Sequence, residues 1–250
     1  MKIYRTLRIG ADPTQRTISF GQADRVEEIE EINRLRYRAY LDRGYIDGSR
    51  YPDMTELDEY DKENKCKYFF ARLDGRVIGC IRLIVDDPLP TELYFKFTEP
   101  QSMSSIFRNQ RCELGRFIIV PPNKEKGDYL PRGLVMLFMF DTVLEFATNS
   151  GLEGGYSFIK MSLEKKMKRL KMPIGNIRIY EQNYPQDGVL TKYFSQPDDP
   201  VVPIYFIAKD FISYTSKQIH SSLMFKKENE VSYVLKVNLY TQFLKTLKLI

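Results

Sequence analysis

The stretch Lys67-Tyr-Phe-Phe-Ala-Arg-Leu-Asp-Gly-Arg-Val-Ile-Gly-Cys-Ile-Arg-Leu-Ile-Val85 decides the fold. Two runs rich in β-branched and aromatic residues meet at Asp74-Gly75, a dipeptide favoured in the tight two-residue turns of hairpins. The sequence therefore predicts strands over Lys67–Leu73 and Arg76–Val85, joined antiparallel. Upstream, Val26, Ile29, Ile32, Leu35 and Ala39 step by three and four, the pattern of an amphipathic helix beginning near Arg25 and ending near Gly44. The stretch from there to about Asn64, with Gly48, Pro52 and several acids, reads as a long loop. Residues 1–22 show no sustained period.

Downstream, Glu113–Val120 reads as a strand stopped by Pro121-Pro122, which can neither donate to a ladder nor continue it. Leu134–Phe146 is apolar almost all round and has the length of a buried helix. A short strand over Gly154–Ile159 follows, then a helix whose inner face is Leu163, Met167 and Leu170 and whose start Ser162 is placed to cap. Ile177–Tyr180 and Val201–Ala208 are further strands, separated by a polar loop. This alternation implies a single α/β or α+β domain over residues 1–210, a mixed sheet with helices on its faces. A C-terminal extension, 211–250, is expected to be helical at its end, where Val234, Val237, Tyr240, Leu244 and Leu247 recur at helical spacing.

Composition narrows the function. The 250 residues are 43% hydrophobic and 28% charged, with 17 Tyr, 16 Phe and no Trp. This fits a globular chain with aromatic-lined interior or pocket surface. The net charge of +5 is matched by one segment, where Lys160, Lys165, Lys166, Lys168, Arg169 and Lys171 face only Glu164. No interleaved aromatics or nucleic-acid motif accompany it, so a solvated face or a protein-docking surface is favoured over nucleic acid. Cys66, Cys80 and Cys112 are odd in number and lack CxxC spacing, which points to buried inert thiols in a reducing, cytoplasmic setting. No apolar run has the length of a signal peptide or membrane span. His220 is the single histidine and sits in a polar stretch. Ser-His-Asp and Cys-His catalysis would both need it, and multi-His metal sites are excluded. Acid–base chemistry then falls to carboxylates, Tyr, Lys or water.

The informative constellation is a set of charges in or beside apolar strands: Arg36, Asp58, Asp61, Arg82, Glu113 and Arg116. Buried charges are costly unless paired, so these are expected to converge on one half-buried polar pocket. Strand alternation puts Glu113 and Arg116 on opposite faces unless a bulge lies between them, and Gly115 would permit one.

The pattern resembles the autoinducer synthase family, comprising the acyl-homoserine-lactone synthases and the related N-acyl amino acid synthases. The resemblance runs from about Asp24 to Asp210. It is carried by Arg36-Tyr-Arg-Ala-Tyr40 with Asp42-Arg43, Asp58-Glu-Tyr-Asp61, Gly79-Cys-Ile-Arg82-Leu, an aromatic at Phe95 or Phe97, and Glu113-Leu-Gly-Arg116-Phe. It implies a GNAT-like twisted mixed sheet that splays open beside a central strand. The implied activity is N-acyl transfer from acyl carrier protein to the amine of an amino acid, with no bound cofactor. The alternative within the family is acyl-homoserine-lactone synthesis from S-adenosylmethionine, a quorum-sensing signal. The homoserine-lactone enzymes carry a Trp after the first Arg motif, where this chain has Tyr45, which favours the amino-acid branch. A non-catalytic acyl-binding module is the reading from another class.

Under the resemblance Glu113, Arg82 and Arg116 are the catalytic candidates. Two roles for Glu113 stand side by side, a base acting through water or a partner in a structural ion pair. Arg36, Tyr40, Tyr45, Asp58, Asp61 and Phe97 are the acceptor-binding candidates, the arginines orienting carboxylates through forked hydrogen bonds. Coenzyme A enzymes of this fold cradle pyrophosphate on a Gly-rich turn after the central strand, whereas here Gly127 stands without a second nearby glycine. This favours the carrier protein as donor, docked through Lys165, Lys166, Lys168 and Arg169. A weaker expectation places the 234–250 segment on a membrane surface.

Overall fold

The computed structural model describes residues 1–10, 15–63, 65–120, 132–186, 188, 190–220 and 223–236. In chain order these form β1 (Lys2–Ile9), β2 (Arg16–Ala23), α1 (Val26–Leu41), α2 (Glu59–Lys62), β3 (Cys66–Leu73), β4 (Arg76–Ile84), α3 (Pro90–Tyr94), β5 (Phe95–Phe97), α4 (Gln101–Ser104), β6 (Arg111–Ile119), α5 (Arg132–Asn149), β7 (Gly154–Lys160), α6 (Met161–Arg169), β8 (Ile174–Asn176), β9 (Tyr180–Gln182), α7 (Thr191–Phe194), β10 (Val201–Ile207), α8 (Ala208–His220), β11 (Phe225–Lys227) and β12 (Ser232–Leu235). The main sheet has the order β11-β12-β1-β2-β3-β4-β6-β7-β10-β8, and β5 pairs separately with β9. It is mixed, with β6–β7 and β1–β12 parallel. No described helix is long and apolar enough to cross a membrane.

The deciding hairpin forms as expected. β3 and β4 pair antiparallel from Cys66↔Ile84 to Leu73↔Arg76, and Asp74 and Gly75 both take positive φ, 46° and 87°. That is the backbone which a two-residue turn between right-twisted strands requires. α1 buries Ile32, Leu35, Arg36 and Tyr40, and α5 is buried along nearly its whole length, as its apolar sequence demands. The two lie on opposite faces of the sheet. α5 and α8 cover one core with Phe20, Ile81, Leu83 and Leu114; α1 covers the other with Phe70, Cys80, Ile84 and Ile118.

Several elements differ from expectation. Residues 1–22, without a legible period, contain the paired strands β1 and β2; a register shift between Ile3 and Arg5 breaks the alternation of β1. The strand expected over Ile177–Tyr180 divides into β8 before it and β9 after it, with Ile177 buried and Ile179 exposed between them. Ser162 does not cap α6. Its backbone N–H and hydroxyl both donate to Asp199, at 2.8 and 2.7 Å, so a carboxylate from a distant loop satisfies this helix start. The expected terminal helix begins instead as strand β12, which extends the sheet beside β1; the remainder of that expectation, 237–250, lies outside the described residues.

Two local irregularities shape the functional region. In the β4–β6 ladder Cys80 pairs with Ile118 and Arg82 with Gly115, so Arg116 and Phe117 together oppose Ile81. This is the anticipated bulge, but the left-handed residue is Arg116, φ 55°, rather than Gly115. A non-glycine side chain there is held against its preference by its surroundings. The second irregularity is the β6–β7 pairing, which covers only Arg111–Glu113 against Gly154–Tyr156 and then stops. A Cβ at Gly155 would collide with the Cys112 carbonyl, so glycine is needed where the two strands touch. Ser157 Oγ donates to Leu114 O at 2.6 Å just beyond the last pair, and past it the strands separate.

Candidate active site

The opening between β6 and β7 holds a cavity of about 730 Å³, within the range of small-molecule sites. Its lining comes from both faces of the sheet. On the α5 side it is apolar, with Met136, Phe140, Ile159, Leu163, Phe206 and Phe211; on the α1 side lie Tyr40, Tyr45, Tyr60, Tyr193, Asp58 and Glu113. The cavity thus runs through the sheet from a polar, tyrosine-rich half to an apolar arm. Gly115 lines it at the bulge, and a Cβ added there would meet nothing within 4 Å.

Below the polar half is a buried lattice of three arginines and three carboxylates. Arg36 on α1 binds Glu56, Nε to Oε2 at 2.6 Å, and Asp61, Nη2 to Oδ2 at 2.8 Å. Arg82 on β4 grips both oxygens of Asp58 at 2.7 Å and reaches Asp61 Oδ1 at 2.8 Å. Arg116, turned by the bulge onto this face, binds Glu56 and Asp58, each at 2.8 Å from Nη2. The acids are fixed by their own backbone. Asp58 and Asp61 form a reciprocal capping box at the start of α2, and Tyr68 Oη donates to Asp61 at 2.7 Å. Burial pushes Glu56, Asp58 and Asp61 upward, but the guanidiniums outweigh it and hold all three below their ordinary values. Charge balance, three against three, is what permits this cluster to be buried.

Five of the six converging charges expected from sequence therefore sit in this lattice. The sixth member, and third acid, is Glu56, which the sequence does not single out. In Thr55-Glu-Leu-Asp-Glu-Tyr-Asp61 nothing distinguishes a buried loop glutamate from solvated ones. The cost falls on the expected substrate forks: Arg36, Arg82 and Arg116 are each already paired with carboxylates among Glu56, Asp58 and Asp61, although Arg82 Nε keeps no partner among the described residues. Arg36 and Asp61 lie under the cavity and do not line it, whereas Arg82, Arg116 and Asp58 do.

Glu113 stands apart from the lattice. It lines the same cavity, but its Oε2 accepts from the Thr91 backbone N–H at 2.7 Å and it forms no ion pair among the described residues. Burial pushes its carboxyl up to about 8, against the lowering effect of the Thr91 hydrogen bonds and the Arg82 charge. Of the two readings of Glu113, the structural ion pair is thereby set aside. Tyr40 and Tyr45 wall the polar half, their rings 5.8 Å apart and edge-on. Phe97 does not line the cavity; it packs on Tyr156, centroids 5.5 Å apart, beside a separate shallow pocket. Cys66, Cys80 and Cys112 are buried free thiols, each raised by burial to about 12. They are poor nucleophiles there.

The basic segment divides. Lys165, Lys168 and Arg169 are exposed along α6, Lys168 pairing with Glu164, while Lys166 and Arg169 also edge the cavity. Lys160 departs from the group: it turns inward and is buried in the cavity wall.

The fold is similar to those of solved acyl-homoserine-lactone synthases. The AHL synthase LasI superposes with a TM-score of 0.52 at 16% identity, over 85% of this chain and 98% of that one. The CoA-dependent acyl-homoserine lactone synthase MesI gives 0.51 at 20% identity, over 76% and 87%. BjaI, a CoA-dependent synthase solved with SAM and isopentyl-CoA, gives 0.51 at 18%, over 77% and 82%. None of the curated protein sequences compared with the chain matches it. A family model described as N-acyl amino acid synthase FeeM matches residues 31–169, more than half of the chain. The protein belongs to this family and is an acyltransferase.

Proposed function

We propose that the enzyme transfers a fatty acyl group from acyl carrier protein to the amine of an amino acid. The observation that carries this reading is the two-sided cavity: an apolar arm fit for an acyl chain joins, at the β6–β7 gap, a polar half containing one buried, unpaired carboxyl. The thioester carbonyl sits at the gap. The neutral amine attacks its carbon, the C–S bond breaks, and the departing thiolate takes back, through water from Glu113, the one proton that the amine gives up. The amine's proton passes through water to Glu113, whose raised pKa makes it a competent acceptor near neutral to mildly alkaline pH. Backbone N–H groups of β6, released from pairing at the bulge and beyond the last β7 contact, are the candidate donors to the oxyanion. Transfer is direct in this reading: the described thiols are buried with raised pKa values, and no described histidine lines the cavity to activate a hydroxyl.

Arg82 and Arg116 act as positioning groups. They fix Asp58 in the cavity wall, with Glu56 outside the lining, and hold the strained bulge in place. Asp58, Tyr40 and Tyr45 wall the acceptor half, and exposed Lys165, Lys168 and Arg169 with Lys166 form the surface for an acidic carrier. S-adenosylmethionine as acceptor, giving an acyl-homoserine lactone, is the second reading; the missing Trp and Tyr45 in its neighbourhood weigh against it. Incubation of the enzyme with acyl-loaded carrier protein, acyl-coenzyme A and a panel of amino acids and S-adenosylmethionine, followed by product mass spectrometry, tests both. N-acyl amino acids from the carrier-bound donor are expected. A lactone formed only with S-adenosylmethionine overturns the first reading, and no product with any amine overturns acyl transfer.

A further inference from the structure

We propose that Lys160 is the receptor for the carboxylate of the acceptor, so that the enzyme selects amines bearing a free acid. The proposal deepens the acyl-transfer reading and rests on it. Lys160 ends β7, and only 6% of it is exposed, unlike the solvated lysines that follow on α6. Its ammonium donates to the Tyr193 carbonyl and lies 4.5 Å from the Tyr193 ring centroid and 5.3 Å from that of Tyr45. An ammonium carries three donors, and ring faces supply a diffuse attraction rather than a counter-charge. Among the described residues no carboxylate lies within 4 Å of it. The acid it feels most is Asp199, both of whose oxygens are engaged by Ser162. Arg43, Arg132, Lys166 and Arg169 also line the cavity.

The contrast with the arginine lattice is what directs the inference. Every guanidinium beneath the polar half is already matched by a carboxylate, so an acid entering the cavity finds no counter-charge there. It finds one at Lys160. A cation buried without an anion is costly, and burial accordingly pulls the Lys160 pKa below its ordinary value. A bound carboxylate relieves that cost, which an uncharged isostere cannot do. The placement also orients the acceptor. Glu113 pairs with Tyr156, and alternation along β7 sets Tyr156, Phe158 and Lys160 on one face. Base candidate and carboxylate receptor thus line the same cavity, Lys160 four residues along β7 from the partner of Glu113. Tyr45 and Tyr193 hold the lysine stem and restrict where the charge can go.

The other anion able to reach this cavity is the phosphate of the donor's pantetheine arm, and the experiment separates the two. Calorimetric binding of N-dodecanoylglycine, its carboxamide and free 4′-phosphopantetheine is compared for the wild type, Lys160→Met and Lys160→Arg. In the wild type the acid should bind on the order of 10- to 100-fold more tightly than the amide. Lys160→Met should abolish that preference while leaving amide binding, which also reports on folding, unchanged; Lys160→Arg should restore most of it. Equal binding of acid and amide by the wild type overturns the proposal and leaves acyl transfer standing. So does an acid preference retained in Lys160→Met, or a variant that weakens only phosphopantetheine, which would assign the lysine to the donor. If neither acyl compound binds the wild type, the acyl-transfer reading fails with it.

Discussion

Glu113 combines two properties that rarely occur together in a structural carboxyl: burial and, among the described residues, the absence of a cationic partner within bonding distance. With its carboxyl pushed up to about 8, the acceptor form grows as pH rises through that value. Turnover should climb across the same range, and Glu113→Gln should remove both the climb and roughly 10²- to 10⁴-fold of the rate, measured as initial velocity against pH. The stability sign is opposite. A group whose folded pKa lies above its ordinary 4.5 favours the folded state when protonated, so its contribution is complete below about 4.5 and lost as pH rises through about 8. Urea midpoints should fall over that window in the wild type and less steeply in Glu113→Gln. The lattice acids behave in reverse, since guanidiniums hold them below their ordinary values; their contribution is present at neutral pH and lost in acid. Glu56→Gln leaves Arg36 and Arg116 short of one buried charge. It should cost about 3–5 kcal/mol in urea unfolding, an outcome that a solvent-exposed loop glutamate would not give. Sequence identified Arg36, Asp58, Asp61, Arg82, Glu113 and Arg116 because charges embedded in apolar runs are conspicuous. It missed Glu56, which lies in a loop where acids are ordinary, and Lys160, which stands at the head of a run of solvated lysines.

At the scale of elements, the β4–β6 bulge and the short β6–β7 contact together make the cavity. The bulge carries Arg116 onto the face of the lattice and leaves Gly115 on the wall; the contact, tight at Gly155, fixes where separation starts. Gly115→Phe places a ring in the gap with room for its Cβ. It should fold with a melting temperature close to the wild type and lose transfer of long acyl chains, read by product mass spectrometry. Gly155→Ala forces β6 and β7 apart where they must touch, and should lower the melting temperature by an amount equivalent to about 1–3 kcal/mol or more. The central hairpin, α1, α5 and β10 were legible because each carries its own period or turn dipeptide. α8 also has one, with Ala208, Phe211, Thr215 and Ile219 buried at steps of three and four, and was passed over beside less regular sequence. β1 was not legible, because its register shift breaks alternation.

Over the whole molecule, charge is partitioned. The acids and arginines of the buried lattice cancel, while α6 presents Lys165, Lys168 and Arg169 to solvent, Arg169 at the margin of the cavity. Surface charge acts mainly on association rate and orientation. Lys165→Glu with Arg169→Glu should raise the KM for an acyl-carrier donor several-fold, with little change in kcat, and the difference should shrink as salt approaches 0.5 M. An unchanged KM would remove this surface from donor docking. At the far edge, β12 lies parallel to β1 and Tyr233 bonds His220 at 2.9 Å, so residues expected as a separate extension complete the principal sheet.

The sequence by itself determined the mixed α/β class, the central hairpin, the position of a bulge near Gly115 and five members of the charge lattice, because periodicity, turn residues and misplaced charges are local signals. Tertiary structure alone decided which charges cancel, that Glu113 stays outside the lattice with a raised pKa, that Lys160 turns inward, and that the strands part after Tyr156. Those outcomes depend on partners distant in the chain and on how deeply each group is buried. Both are set by packing, which no short window of sequence contains.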